Sequence, residues 1–211
     1  MTRVKICGIT NLEDALHATN CGADELGFNF YKESKRYISP QEAREIVSEI
    51  PTKYGRIGVF VNESIDSLLT IAEFVGLDAI QLHGDEDLNY VANLAKNTKR
   101  TIIKAFRVTP SFDISEVLDW HCNFQLFDTY SADHYGGTGK RFAQENFLFY
   151  INLWLPGSAY VAGGLNPDNV AEAIREANPY AVDVASGVES SPGKKDPEKV
   201  AAFIKAAKEA I

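Results

Sequence analysis

RIGVFVNESIDSLLTIAEFVGLDAIQLH, residues 56–83, decides the fold. It opens on RIGVFV (56–61) and closes on DAIQLH (78–83), two short runs rich in apolar and β-branched residues. An amphipathic stretch separates them, and Gly76 stands where a helix should stop before the next strand. From residue 56 to residue 78 is a start-to-start spacing of 22 residues, which suits one βα unit.

The same unit recurs along the chain. RVKIC (3–7), DELGFNF (24–30), TIIKAF (101–106), NFQLFD (123–128), AYVAG (159–163) and AVDVA (181–185) bring the strand candidates to eight. They are nearly continuous apolar runs instead of a polar/apolar alternation, as expected of parallel strands covered on both faces. Helix starts are signalled by Asn11, by Ser39 with Pro40, and by Asn166 with Pro167; Gly22 supplies a further stop. The spacings after the second and sixth strands are longer and predict extended loops there. Eight such units in 211 residues predict a single-domain α/β fold over 1–211, a (β/α)8 TIM barrel near the short end of its size range. An open doubly wound sheet would give a similar alternation.

Composition removes several classes of function. Hydrophobic residues make up 45% and charged residues 24%, as in an ordinary globular protein, and no run is long enough for a membrane span. The formal charge of −8 disfavours a nucleic acid or an anionic membrane as partner. MTRVKICGIT (1–10) does not read as a secretory signal, and Cys7, Cys21 and Cys122 lack metal-type spacing. A reducing, cytoplasmic setting without disulfides is the expectation. No HExxH, CxxC or GxGxxG is found where a metal or dinucleotide would need it, so a reaction without metal or cofactor is expected.

In a barrel the chemistry belongs to the C-terminal strand ends and the loops after them. Cys7 ends the first strand beside Gly8, which lets another group come close; there a thiolate can act as base or nucleophile. The alternative is a small buried apolar residue, which is the reading for Cys21 and Cys122. Asp128 ends the sixth strand, where desolvation would fit it as a general acid; a turn or cap residue is the plainer alternative. The loop after it carries GGTG (136–139), a lid or a flexible connection.

AGGLNP (162–167) leads from the seventh strand towards a helix, and ASGVESSPGKKD (185–196) follows the eighth. Their glycines expose backbone N–H groups at the place where barrel phosphate sites recur, so Gly163, Gly164, Ser186 and Gly187 are read as an anion cradle. Arg36, in SKRYISP (34–40), offers a planar fork for a carboxylate; a solvated surface arginine is the ordinary alternative. Asp183 is an acid inside an apolar strand and needs a partner or a role. His83 points to the same rim, where a structural histidine is as good a reading.

VKICGIT (4–10), SKRYISP (34–40), GVFVN (58–62), QLHGDE (81–86), FDTYSADHYGGTGKRF (127–142), AGGLNP (162–167) and DVASGVESSPGKKD (183–196) closely resemble the phosphoribosylanthranilate isomerase family, in order and over nearly the whole chain. Ala162 and Ala185 depart from it, since serine is common at both places. The resemblance implies an Amadori rearrangement of a phosphoribosyl anthranilate in tryptophan biosynthesis. It implies that Asp128 protonates the ribose ring oxygen and that the Cys7 thiolate removes the C2 proton. It further implies that Arg36 holds the anthranilate carboxylate, that Asp183 lies near the anthranilate moiety, and that the amides around Gly163, Gly164, Ser186 and Gly187 hold the phosphate. The implied partner is a small phosphosugar, and the assembly a monomer or homodimer. Rival readings are another phosphosugar barrel enzyme, such as a histidine-pathway isomerase or a pentose-phosphate epimerase, a thiol hydrolase pairing Cys7 with His83, and a catalytically silent barrel.

Overall fold

The computed structural model describes residues 1–109, 112–118, 120–128 and 142–210. Eight parallel strands close a barrel in chain order: β1 (Arg3–Cys7), β2 (Glu25–Asn29), β3 (Gly55–Phe60), β4 (Ala79–Leu82), β5 (Thr101–Arg107), β6 (Phe124–Asp128), β7 (Ala159–Ala162) and β8 (Ala181–Val184). β8 pairs with β1 through Val4 opposite Val182 and Lys5 opposite Asp183, and this closure rules out the open sheet. All eight strand candidates are strands, within a residue or two at their ends.

Helices α1 (Leu12–Asn20), α2 (Pro40–Glu49), α3 (Ile65–Val75), α4 (Leu88–Asn97), α5 (Phe142–Trp154), α6 (Val170–Ala177) and α7 (Pro197–Lys208) surround the barrel. The Asn11 side chain accepts from the Asp14 amide, and Ser39 forms a capping box with Glu42 ahead of Pro40. Gly76 ends α3 in the left-handed region, as its position predicts.

Two helix expectations need correction. After β5 the described residues hold only a 3-10 turn, Ile114–Val117, so one of the eight units lacks its α-helix there. Asn166 and Pro167 do not start α6 directly, because the helix begins at Val170. The Asn166 side chain instead accepts from the Asp168 amide at 2.8 Å, a local turn that competes with a cap.

Alternation along the strands makes two cores. Outward residues such as Val4, Ile6, Leu26, Phe28, Ile80 and Val182 are fully buried against the helices. Inside the barrel Ile57, Ile103, Ala105, Leu126, Tyr160 and Ala181 form a smaller cluster. On β1 the inward positions are Arg3, Lys5 and Cys7, a polar row that climbs from the closed end to the mouth. The long loop after β2 runs from residue 30 to residue 39 and brings Arg36 over that mouth. The 136–139 glycine loop lies outside the described residues.

Candidate active site

Lys5 is completely buried one inward step below Cys7, and its ammonium donates to Gln81 Oε1 at 2.6 Å and to Asp183 Oδ2 at 2.9 Å. Burial is the largest single influence and works against this cation, but the Asp183 carboxylate together with Cys7 and Glu25 outweighs it and raises the Lys5 pKa. Asp183 Oδ1 is the buried side-chain atom among the described residues that has no hydrogen-bond partner. Leaving such an acceptor unpaired costs about 1–3 kcal/mol. The carboxylate predicted from sequence to need a partner thus has one on one oxygen and none on the other.

Cys7 ends β1, half-buried, with its thiol held above the ordinary value. Burial is the main cause and the Asp183 carboxylate adds to it, while Lys5 and Lys195 pull in the other direction. Gly8 follows with φ of 76°, and a Cβ built there would stand 2.6 Å from Cδ of Arg36. The group that approaches this glycine is therefore the Arg36 side chain.

Asp128, at the end of β6, stands across the mouth with its side chain 26% exposed. His83 follows β4 and holds its Nε2 3.4 Å from Asp128 Oδ2. Its Nδ1 lies 2.9 Å from Nε2 of Gln81, the same amide that accepts from Lys5. His83 is thus partnered on the acid's side of the mouth. It is not brought together with Cys7 by any hydrogen bond among the described residues, which removes the geometric ground for a thiol–imidazole hydrolase.

Arg36 is no solvated surface arginine. Its Nε and Nη2 donate to Glu189 Oε1 and Oε2 at 2.8 and 2.7 Å, a bidentate pair. Glu189 also accepts from Lys195, whose ammonium donates to the Cys7 carbonyl at 2.6 Å. This pairing holds the Glu189 carboxyl below its ordinary range against the opposing effect of burial. The loop after β8 is thereby fastened to the end of β1 and to the loop after β2.

The two glycine loops do meet. Gly163 and Gly164 have φ of 86° and 65°, a left-handed pair that side chains resist. A Cβ on Gly187 would fall 1.9 Å from the Leu165 carbonyl oxygen, so the loops after β7 and β8 pack backbone against backbone. The Asn169 side chain accepts from the Asn166 amide at 2.8 Å and donates to the Gly164 carbonyl at 3.0 Å, which shapes the first loop. Ser186 begins a 3-10 turn, Ser186–Val188, ahead of the hairpin β9 (Glu189–Ser191) and β10 (Lys194–Lys195).

Four buried, hydrogen-bonded side chains around the mouth escape the sequence reading: Lys5, Gln81, Glu189 and Lys195. Lys5 and Gln81 carried a signal, because a polar residue inside an apolar strand needs a partner. Glu189 and Lys195 sit among other loop charges, and only their burial, 9% and 2% exposed, separates them. Among the described residues no group of three or more His, Cys, Asp or Glu stands at metal-binding spacing.

The sequence model of N-(5'-phosphoribosyl)anthranilate isomerase matches residues 4–206. A protein of that name from Thermotoga neapolitana is 50% identical over 208 residues, 99% of each chain. Two solved structures share the fold end to end. One is a phosphoribosyl anthranilate isomerase in complex with reduced 1-(o-carboxyphenylamino)-1-deoxyribulose 5-phosphate, with a TM-score of 0.86, 44% identity and 99% coverage of both chains. The other is described as monomers of the dimeric phosphoribosylanthranilate isomerase of Thermotoga maritima, with a TM-score of 0.83, 43% identity, and 99% of this chain and 100% of that one covered. With likeness of this extent over a shared closed barrel, the chain belongs to the N-(5'-phosphoribosyl)anthranilate isomerase family.

Proposed function

We propose that this isomerase works by general acid/base catalysis of an aldose–ketose (Amadori) rearrangement in tryptophan biosynthesis, with Asp128 as acid and Cys7 as base. The observation that carries the reading is the position of the two groups at the C-terminal ends of β1 and β6, either side of one mouth. Asp128 gives its proton to the ribose ring oxygen; the bond from that oxygen to C1 breaks and leaves a Schiff base. The Cys7 thiolate takes the C2 proton, and the enolamine gains a proton at C1 while its C2 hydroxyl loses one, giving the ketone. Solvent exchange returns the proton from Cys7 and restores the one on Asp128, so the substrate is isomerised without net change.

Around this pair, the amides of Gly163, Gly164, Ser186 and Gly187 hold the phosphate and Arg36 the anthranilate carboxylate. Because Glu189 already occupies one edge of the guanidinium, the substrate is met by the other edge or exchanges with Glu189. Asp183 Oδ1 accepts a hydrogen from the anthranilate end of the substrate, a reading supported by that oxygen's lack of a partner among the described residues. The relative with the reduced deoxyribulose phosphate supports a phosphosugar ligand. Description of the Thermotoga maritima enzyme as dimeric supports a homodimer, which light scattering would report as twice the 23.3 kDa chain mass.

The test is direct. Phosphoribosylanthranilate generated in situ should lose its fluorescence at a rate proportional to added protein. No acceleration by folded protein overturns the reading.

A further inference from the structure

We propose that Gln81 is a positioning residue that locks His83 in its Nε2–H tautomer and thereby keeps a donor, not an acceptor, turned towards the Asp128 carboxyl; the mechanistic half of this rests on the acid role proposed for Asp128. An ammonium has hydrogens and no acceptor, so the amide atom that Lys5 meets at 2.6 Å is the Gln81 oxygen. The Gln81 nitrogen then faces His83 Nδ1 at 2.9 Å and donates to it. A ring nitrogen that accepts carries no hydrogen, so the imidazole hydrogen sits on Nε2, which faces Asp128 Oδ2. The polarity of the whole chain is fixed by one buried cation.

The consequence for Asp128 is chemical. With its hydrogen on Nε2, the ring turns a donor and no acceptor towards Asp128 Oδ2, 3.4 Å away, so the acid's proton is left free for the substrate. After delivery the same Nε2–H stabilises the new carboxylate. With the opposite tautomer, Nε2 would be an acceptor and would take the acid's hydrogen away from the substrate.

Other charged groups surround the imidazole without supplying this polarity. Lys104 and Arg107 from β5, and Asp85, Glu86 and Asp87 from the loop after β4, line the same cavity of about 520 Å3 as His83. Lys104 is committed to Glu86 at 2.8 Å and to the Gly84 carbonyl at 2.7 Å. Among the described residues the side chains that meet the two ring nitrogens are Gln81 and Asp128.

The test reads the tautomer itself. In the full-length protein labelled with 15N-histidine, at about pH 8, above the ordinary imidazole range, the His83 signal is assigned by its loss in His83→Gln. It should show a protonated Nε2 and a bare Nδ1. In Gln81→Glu the side chain at 81 accepts from both Lys5 and His83, so Nδ1 should become protonated. Gln81→Met, with nothing to orient the ring, should give mixed tautomers. Turnover should fall about tenfold in Gln81→Glu with KM within about twofold. A wild-type His83 protonated on Nδ1, or a tautomer unchanged in both variants, overturns the inference, and the wild-type spectrum decides even where a variant fails to fold. Failure of the acid/base reading shows elsewhere, as wild-type turnover in Asp128→Asn with the tautomer as stated.

Discussion

At the closed end of the barrel, Glu25 accepts from Arg3 at 2.8 Å and from Tyr160 at 3.0 Å, and Phe124 stacks on Tyr180 beneath them. At the mouth, Lys5 pairs with only one oxygen of Asp183 and the other is left without a partner. Both are inward-facing polar clusters in the same barrel, and both contain a buried carboxylate. The lower one is saturated and capped by aromatic rings, so its polar groups serve packing and orientation within the fold. The upper one is incomplete, and an incomplete buried cluster costs stability that a ligand can restore. The difference teaches where to look for function among buried charges, since burial alone marks both ends alike.

The largest effect expected is on turnover at the mouth. Cys7→Ala and Asp128→Asn should each lower turnover by about a hundredfold or more, with the melting temperature unchanged within about 3 °C. Wild-type turnover in either would erase the contrast. The closed end should answer in the opposite currency. Glu25→Ala strands the Tyr160 hydroxyl and Arg3, and should cost about 2–3 kcal/mol in urea unfolding while kcat/KM stays within about twofold. A loss of activity larger than the loss of folded protein would show that the lower cluster is not merely structural.

Gly187→Ala tests the seam between the two glycine loops, proposed above to hold the phosphate. Its Cβ would overlap the Leu165 carbonyl, so the backbones must part, and KM should rise about tenfold with a smaller change in turnover. The smallest effect is a shift in pH. Burial and the Asp183 carboxylate both raise the Cys7 pKa, so replacing that carboxylate with a neutral amide removes one of the two. In Asp183→Asn the thiol should ionise at lower pH, and iodoacetamide should alkylate Cys7 faster at a fixed pH below the thiol's midpoint. Slower alkylation would mean that the effect of Asp183 on Lys5 outweighs its direct effect on the thiol.

Much of the fold was legible because a parallel strand covered on both faces must be apolar throughout, and eight such runs recur at barrel spacing. The delayed start of α6 was not, because a local Asn side-chain turn and a proper cap use the same residues. At the site, Cys7, Asp128 and Asp183 could be singled out by standing at or inside strand ends. Lys5 and Gln81 lie in the same kind of strand and were open to the same argument. Arg36 could be noticed but its engagement by Glu189 could not, since the two are 153 positions apart in the chain.

What the amino-acid sequence determined by itself is the periodic part of this protein: strand, helix and turn chemistry, their order, and which residues arrive at the C-terminal strand ends. The tertiary structure alone decided which of those residues touch. Closing the barrel sets Lys5 beside Asp183, 178 positions away, and Gln81 beside Lys5, 76 positions away. Hydrogen-bond polarity, an unpaired oxygen and a raised thiol pKa are properties of such contacts. They depend on distances of about 3 Å between groups remote in the chain, which no local pattern encodes.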